Sequence, residues 1–341
     1  MKIFIVGSDN INAIENFYVQ YLEEIGIEIF HFTAQTIFYD YYQKKIINKI
    51  IYKVGLSNIL KKINYSFKEQ VTLFQPDVIW IFKGMEIFAE SLKWAKTQNI
   101  KLVNYNGDNP FLFSGKGSGN KNVTNSIPLY DLHLTYNRSV KIEMEEVHKI
   151  KTEILPFGFD IGENIFNDCS AIEEVNKLCF VGNPDKFRSH FIQRLAANGI
   201  KIDLYGNGWD DFVKHQNINS FDAVYANDCW KVLRKYRIQL NLMRPHNPDT
   251  HNMRTFEVPG IGGIQLAPFT LDHALYFESE KEIFLYTDFN NCLKQIKKIT
   301  LLSTDQTNII RQNARERSVQ SGYAYSDRAK QALTFINTII E

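Results

Sequence analysis

Arg254 and Glu257 stand three residues apart, so on a helix they share one face. Asn252, a residue type that caps helices, precedes them. Pro259, Gly260, Gly262 and Gly263 follow, and residues 264–267 read as a strand. A helix start that turns backbone N–H groups and an arginine outward can hold a diphosphate. A carboxylate one turn later is placed to take sugar hydroxyls. The glycines would let the backbone approach a ligand closely, and Pro259 ends the short helix. The plain alternative is a structural helix–turn–strand with a surface arginine. These residues alone leave both readings open.

Other stretches offer related chemistry. Gly182 permits a tight turn after a strand at 177–181, and Lys186 and Arg188 fall at the start of the next helix. A phosphate there would gain from both charge and amides; two solvated surface cations are the alternative. Gly206 and Trp209 follow a strand at 201–205. The glycine lets backbone approach a ligand, and Trp209 is suited either to stacking on a base or to filling a core. Asp108 lies in the turn-rich loop 106–110. It could bind an acceptor hydroxyl or act as a base; an Asx turn closing the loop is the alternative. The glycine-rich run 114–120 lacks the P-loop spacing and reads as a mobile loop. His133, inside an apolar strand, reads as a satisfied core histidine. Asp210 and Asp211 read as a solvated loop, and no metal is expected.

The elements that must position these groups form two βα series. The first half places strands at 2–6, 27–30, 77–82, 100–105, 130–135 and 153–155, with helices between them. The glycine signal after the first strand is Gly7 alone, without a dinucleotide fingerprint, which disfavours an NAD enzyme. Residues 36–74 look largely helical. Ile46, Ile47, Ile50, Ile51 and Val54 fall on one face, with six lysines nearby at 44, 45, 49, 53, 61 and 62. Such a segment could rest on an anionic membrane surface; an amphipathic helix with its apolar side in the core is the alternative. The polar stretch to residue 176 marks the domain boundary. The second half continues with strands at 177–181, 201–205, 238–242, 264–267 and 283–286. Helices follow at 222–236, 272–277, 289–302 and 304–320, and a last one from 326. The expected domains are therefore 1–160, joined by the helix 326–341, and 161–325. A cleft between two such domains is the natural ligand site.

The totals agree with a two-domain α/β protein. The chain has 341 residues, 44% hydrophobic and 23% charged, with a net charge of +1. That balance gives no case for nucleic-acid binding, which needs a basic surplus. Cys169, Cys179, Cys229 and Cys292 are scattered without a C-x-x-C pair, as in a reducing compartment. No stretch approaches a membrane span and the N-terminus runs straight into a strand. The expectation is a cytoplasmic protein, with peripheral contact at the inner membrane face through residues 44–62.

Several motifs occur in order: Phe180-Val-Gly182, Arg188, Leu204-Tyr-Gly-Asn-Gly-Trp209, Ile238-x-Leu-Asn241, Arg254 to Gly263, Lys281-Glu-Ile-x-x-Tyr286 and Gly322-Tyr-Ala-Tyr-Ser-Asp-Arg328. They resemble the glycosyltransferase-like domain of the spore-maturation CgeB family, a branch of the GT-B glycosyltransferases. The resemblance covers about residues 177–335. In the first half it thins to Asp108-Asn-Pro110 and Leu155-Pro-x-Gly158. It implies two Rossmann-like doubly wound domains facing a central cleft. A nucleotide sugar (UDP-, GDP- or dTDP-linked) would be held by the second domain, and a glycan, protein or small-molecule acceptor by the first. Many related enzymes carry two glutamates separated by seven residues; the second matches Glu257, while the first position holds Asp249. By this resemblance Asn252, Arg254, Arg188 and Lys186 serve the diphosphate, and Glu257 the ribose. Gly182, Gly206, Trp209, Gly262 and Gly263 line the donor, and Asp108 contacts the acceptor. The rivals are a GT-B-shaped nucleotide-sugar epimerase or hydrolase, and a non-catalytic carbohydrate-binding or coat protein.

Overall fold

The computed structural model describes residues 1–11, 13–113, 117–244 and 249–340. It divides into two units: Met1–Pro156 with Tyr325–Glu341, and Phe157–Ala324. The boundary thus falls four residues before the one expected at 160.

Unit 1 runs β1 (Lys2–Val6), α1 (Glu15–Glu24), β2 (Glu28–Phe32), α2 (Ala34–Lys44), α3 (Ile46–Lys53), α4 (Ile59–Phe74), β3 (Val78–Phe82), α5 (Ala89–Thr97), β4 (Lys101–Tyr105), α6 (Lys121–Ser126), β5 (Leu132–Thr135), α7 (Arg138–Glu146) and β6 (Thr152–Ile154). Unit 2 runs α8 (Glu163–Ser170), β7 (Val175–Val181), α9 (Lys186–Ala197), β8 (Ile202–Tyr205), β9 (Ile218–Phe221), α10 (Ala226–Lys235), β10 (Tyr236–Leu240), α11 (Arg254–Gly260), β11 (Gln265–Pro268), α12 (Leu271–Tyr276), β12 (Phe284–Tyr286), α13 (Phe289–Thr300) and α14 (Thr304–Gln320). The chain then ends in α15 (Tyr325–Ile340), which belongs to unit 1.

Unit 1 is a sheet ordered β2-β1-β3-β4-β5-β6, and unit 2 one ordered β12-β11-β10-β7-β8-β9. Every pairing in both is parallel. Parallel strands covered by helices on both faces read as unbroken apolar runs. Val78-Ile-Trp-Ile-Phe82 of β3 is such a run, and all five residues are buried. Phe4, Ile79, Ile81, Leu92, Phe67 and Leu102 fill the core of unit 1. Leu178, Ile192, Leu204, Ile238, Leu266 and Ile296 fill that of unit 2. Tyr325 of α15 stacks on Phe17 at 4.5 Å and meets Tyr18 edge-on, so α15 covers α1.

Two expectations need correction here. The apolar side of the segment after residue 44 is not in the core. No residue of α3 is buried, and Ile46, Ile50 and Val54 are 73%, 50% and 60% exposed. His133 does lie in the core, but neither ring nitrogen has a partner among the described residues, so it is not the satisfied histidine expected. Burial pushes its pKa down to about 3 and keeps it neutral. The four cysteines are buried and free. Of the glycine-rich run expected to be mobile, residues 114–116 lie outside the described residues, as do 245–248 of the loop before α11.

Candidate functional site

In unit 2 the chain steps outward from β7 through β8 to β9, then returns to β7's other side with β10. Ligands of open parallel sheets bind beyond the carboxyl ends of the strands at such a reversal. Three segments converge there: Gly182 and Asn183 after β7, Asn241 and Leu242 after β10, and the start of α11.

Arg188 ties them together. Its two Nη groups donate to the carbonyls of Asn183 at 3.0 Å and Leu242 at 3.2 Å, and the guanidinium lies over the Phe180 ring. Burial lowers its pKa; Asp185 opposes this, and the charges of Arg244 and Arg254 add to the lowering. The charges of Arg244 and Arg254 thus act on Arg188 near the sheet's reversal point, a field that favours an anion. Arg254 donates through Nε to the Val181 carbonyl at 3.4 Å and is ion-paired through Nη1 with Glu257. Burial works against its charge, but Glu257 more than offsets this and its pKa is raised. The three-residue spacing therefore yields a salt bridge, with the Glu257 carboxylate buried beside the arginine.

Asn252 is turned into a polar cluster rather than outward. Its Oδ1 accepts the Thr255 N–H at 3.2 Å, and its Nδ2 donates to Asn241 Oδ1 at 2.7 Å. Thr255 Oγ1 lies 2.9 Å from His273 Nε2, and His273 Nδ1 lies 2.8 Å from the Pro268 carbonyl. A carbonyl can only accept, so Nδ1 carries the proton and Nε2 accepts from Thr255. Burial holds His273 neutral, its pKa pushed down to about 4. This chain of bonds fixes the start of α11. It also occupies the Thr255 amide, one of the N–H groups at that helix start. With seven residues α11 has little dipole of its own, so the arginines supply the positive charge.

Several expected ligand contacts prove to be contacts within the protein. The amino end of α9 is capped by Asp185, whose carboxylate accepts the Arg188 N–H at 2.9 Å. An aspartate therefore sits where a phosphate was expected, and Lys186 stands exposed beside it. Trp209 is 1% exposed; it meets Phe180 edge-on and donates Nε1–H to the Gly182 carbonyl at 2.9 Å. It is a core residue that holds the Gly182 loop, not a platform for a base. A Cβ on Gly206 would lie 2.3 Å from the Gly182 carbonyl oxygen, so this glycine admits the neighbouring loop. Gly260 packs on the Phe159 ring, Gly263 on the Leu233 carbonyl and Val258, and Gly262 faces Phe166 and Arg311. Their closeness serves packing against the protein. Asp249, eight residues before Glu257, is exposed in a left-handed turn (φ 54°). Arg244, Thr255 and His273 were not singled out from sequence. Arg244's place after the β10 strand was the one signal available.

In unit 1 the reversal falls between β1 and β3. Glu15 Oε1 accepts the Ser8 N–H at 2.6 Å, and a Cβ on Gly7 would lie 2.5 Å from that oxygen. Lys83, just past β3, pairs with Asp108 at 2.7 Å and donates to the Gly117 carbonyl at 2.7 Å. Asp108 itself is not the Asx-turn residue: Asn106 Oδ1 accepts the Asp108 N–H at 3.0 Å. Burial raises the pKa of Glu15, and pushes that of Glu86 up to about 7 despite Lys83. Glu15, Lys83 and Glu86 escaped the sequence reading because no motif marks them.

The comparisons with known proteins bear on the fold. No curated protein matches. Among solved structures, sucrose-phosphate synthase from Thermosynechococcus elongatus aligns over 99% of each chain at 12% identity, with a TM-score of 0.69. Anabaena Alr3699/HepE in complex with UDP-glucose aligns over 99% of this chain and 100% of that one at 14% identity, TM-score 0.64. A putative UDP-N-acetylglucosamine 2-epimerase from Listeria monocytogenes aligns over 99% and 96% at 14% identity, TM-score 0.58. The chain has the two-sheet fold of the GT-B glycosyltransferase structures. Residues 188–334, from Arg188 through the rest of unit 2 into α15, match the family model described as glycosyl transferase-like.

Proposed function

We propose that the chain is a glycosyltransferase that moves a sugar from a UDP-, GDP- or dTDP-linked donor to a glycan, protein or small-molecule acceptor. The observation that carries this reading is that Arg188 and Arg254 are both fixed to loops at the reversal point of unit 2, Arg188 on the Asn183 and Leu242 carbonyls and Arg254 on the Val181 carbonyl and Glu257, within the residues that match the transferase family model. The likeness of fold to a protein solved with UDP-glucose supports it. The ordered motifs between residues 177 and 335 support the CgeB-like branch.

In the transfer the bond from the anomeric carbon to the diphosphate breaks, and one to an acceptor oxygen forms. The sugar becomes oxocarbenium-like while the diphosphate gains negative charge. Arg254, Arg188 and Arg244, with the exposed Lys186, stabilise that charge, so the reading needs no metal. Glu257, oriented by Arg254, takes the ribose hydroxyls. Asp108, held by Lys83, contacts the acceptor. The uncovered face of α3, flanked by Lys44, Lys45, Lys49 and Lys53, gives peripheral contact with anionic lipid.

The test is release of nucleoside diphosphate from a panel of nucleotide sugars, by wild type and Arg254→Ala. One donor should be consumed, with the variant slower by roughly 10²–10³. No release from any donor would remove the transferase reading. Interconversion of the sugar without release would establish the second reading, an epimerase, which the Listeria neighbour favours.

A further inference from the structure

At the opposite edge of the unit 2 sheet, where β7 and β10 begin, four arginines gather: Arg234, Arg237, Arg311 and Arg315. Three are fully engaged. Arg237 and Arg311 share Glu174, each at 2.6 Å, and donate their remaining N–H groups to backbone carbonyls. Arg315 pairs with Glu163 at 2.6 Å and donates to the Gly260 carbonyl at 2.8 Å. Arg234 has no hydrogen bond or ion pair from its guanidinium among the described residues. It is half-buried and lines a cavity of about 390 Å³ with Phe166, Gly262, Asn308, Arg311 and Arg315. A second cavity of about 370 Å³ also has Arg234 and Asn308 in its wall. Glu316 lines the first cavity as well, but its carboxylate accepts from Gln312 at 2.8 Å.

We propose that this cavity is a binding site for a small phosphoryl-bearing anion, with Arg234 as its principal ligand, separate from the site at the carboxyl edge. A half-buried guanidinium beside a second one and without a protein acceptor keeps its donors open to an anion in the cavity. Consistently, burial first and Arg311 second push the Arg234 pKa down to about 10. Gly262 has φ +69°, and a Cβ there would already touch Phe166 at 3.3 Å and stand 3.9 Å from Arg234 Nε. The volume exceeds what one water needs and suits a small molecule. Arg311 and Arg315, each paired with a glutamate, hold the Gly262 and Gly260 carbonyls at the cavity wall. The bound anion therefore lies against the end of α11 remote from Arg254.

Calorimetric titration of inorganic pyrophosphate tests this in wild type, in the paired variant Arg254→Met with Glu257→Gln, and in that paired variant carrying Arg234→Gln or Asn308→Asp. Pyrophosphate can also enter the carboxyl-edge site, so the paired variant, which leaves no buried carboxylate unpaired, isolates the second one. We expect the paired variant to keep one pyrophosphate site. Arg234→Gln and Asn308→Asp, each made in that background, should weaken it roughly tenfold or more. Asn308 is exposed and the aspartate is isosteric, so this variant decides the matter if Arg234→Gln does not fold. Absence of pyrophosphate binding in the folded paired variant, or binding there that neither substitution weakens, would overturn the proposal.

Discussion

Glu86→Gln should make the protein less sensitive to alkaline pH. The Glu86 carboxyl is 5% exposed, beside Glu15 and Lys83 at the carboxyl edge of unit 1. Burial disfavours its charged form, Lys83 opposes this, and Glu15 adds to it, leaving a pKa of about 7 against an ordinary 4.5. Below pH 4.5 the group is protonated whether the chain is folded or not, and it imposes no pH dependence. Between 4.5 and 7 the unfolded chain releases the proton while the folded one keeps it. Stability therefore falls by about 1.4 kcal/mol per pH unit, and by about 3 kcal/mol in all once pH exceeds 7. Glutamine fills the same space without a charge to bury. Urea unfolding of wild type and Glu86→Gln at pH 5, 6, 7 and 8 would read the difference. The variant should gain on wild type steadily with pH, by about 2–3 kcal/mol between pH 5 and pH 8. Glu15, whose pKa is also raised, is present in both proteins and is among the causes of the Glu86 shift. A stability difference that is the same at pH 5 and pH 8 would refute the assignment of a buried, protonated Glu86.

Gly206→Ala should cost about 1–3 kcal/mol in thermal unfolding, because the new methyl meets the Gly182 backbone with no flexible side chain to give way. An unchanged melting temperature would show that the two loops do not meet this closely. His133→Leu should stabilise the protein by about 1–3 kcal/mol, since it removes two buried ring nitrogens that lack partners. The gain should grow as pH falls below 6.5, where the unfolded histidine takes a proton that the folded one refuses; a loss of stability would contradict the orphaned pair. Ile46→Gln with Ile50→Gln should change stability by no more than about 0.5 kcal/mol, because both side chains are exposed. The same pair should abolish co-sedimentation with phosphatidylserine vesicles; destabilisation, or no vesicle binding by wild type, would count against a membrane-facing α3.

The architecture was largely legible because parallel strands buried on both faces leave continuous apolar runs. Val78 to Phe82 and Leu178 to Val181 announce themselves this way. Ile218–Phe221 did not: β9 is an edge strand whose residues are exposed or half-buried, so its composition carries no such run. The segment 36–74 reads as helical throughout, yet it breaks at Lys45 and Gly55, and only tertiary contacts decide which apolar face is covered. At the candidate site, Arg254, Arg188 and Glu257 were marked by type and spacing. What they touch was not. Trp209 is equally fit for stacking on a base or for a core, and its bond to the Gly182 carbonyl depends on a loop 27 residues earlier in the chain. Gly262 and Gly263 signal close approach without saying what approaches. Arg244 acquires meaning only when folding brings it near Arg188, and Glu86 only when folding buries it near Glu15 and Lys83.

The most direct measurement is calorimetric binding of UDP, GDP, dTDP and their sugar conjugates to the full chain. It should be repeated with Arg254→Ala and with the pair Arg254→Met and Glu257→Gln. Arg254→Ala alone leaves the buried Glu257 carboxylate unpaired and can cost about 3–5 kcal/mol of stability, so the double variant separates folding from binding. The account predicts that one nucleotide series binds wild type, and that both variants bind it at least roughly tenfold more weakly while the double variant remains folded. If no nucleotide or nucleotide sugar binds wild type, or if the folded double variant binds as tightly, the arginine cluster is not a donor site.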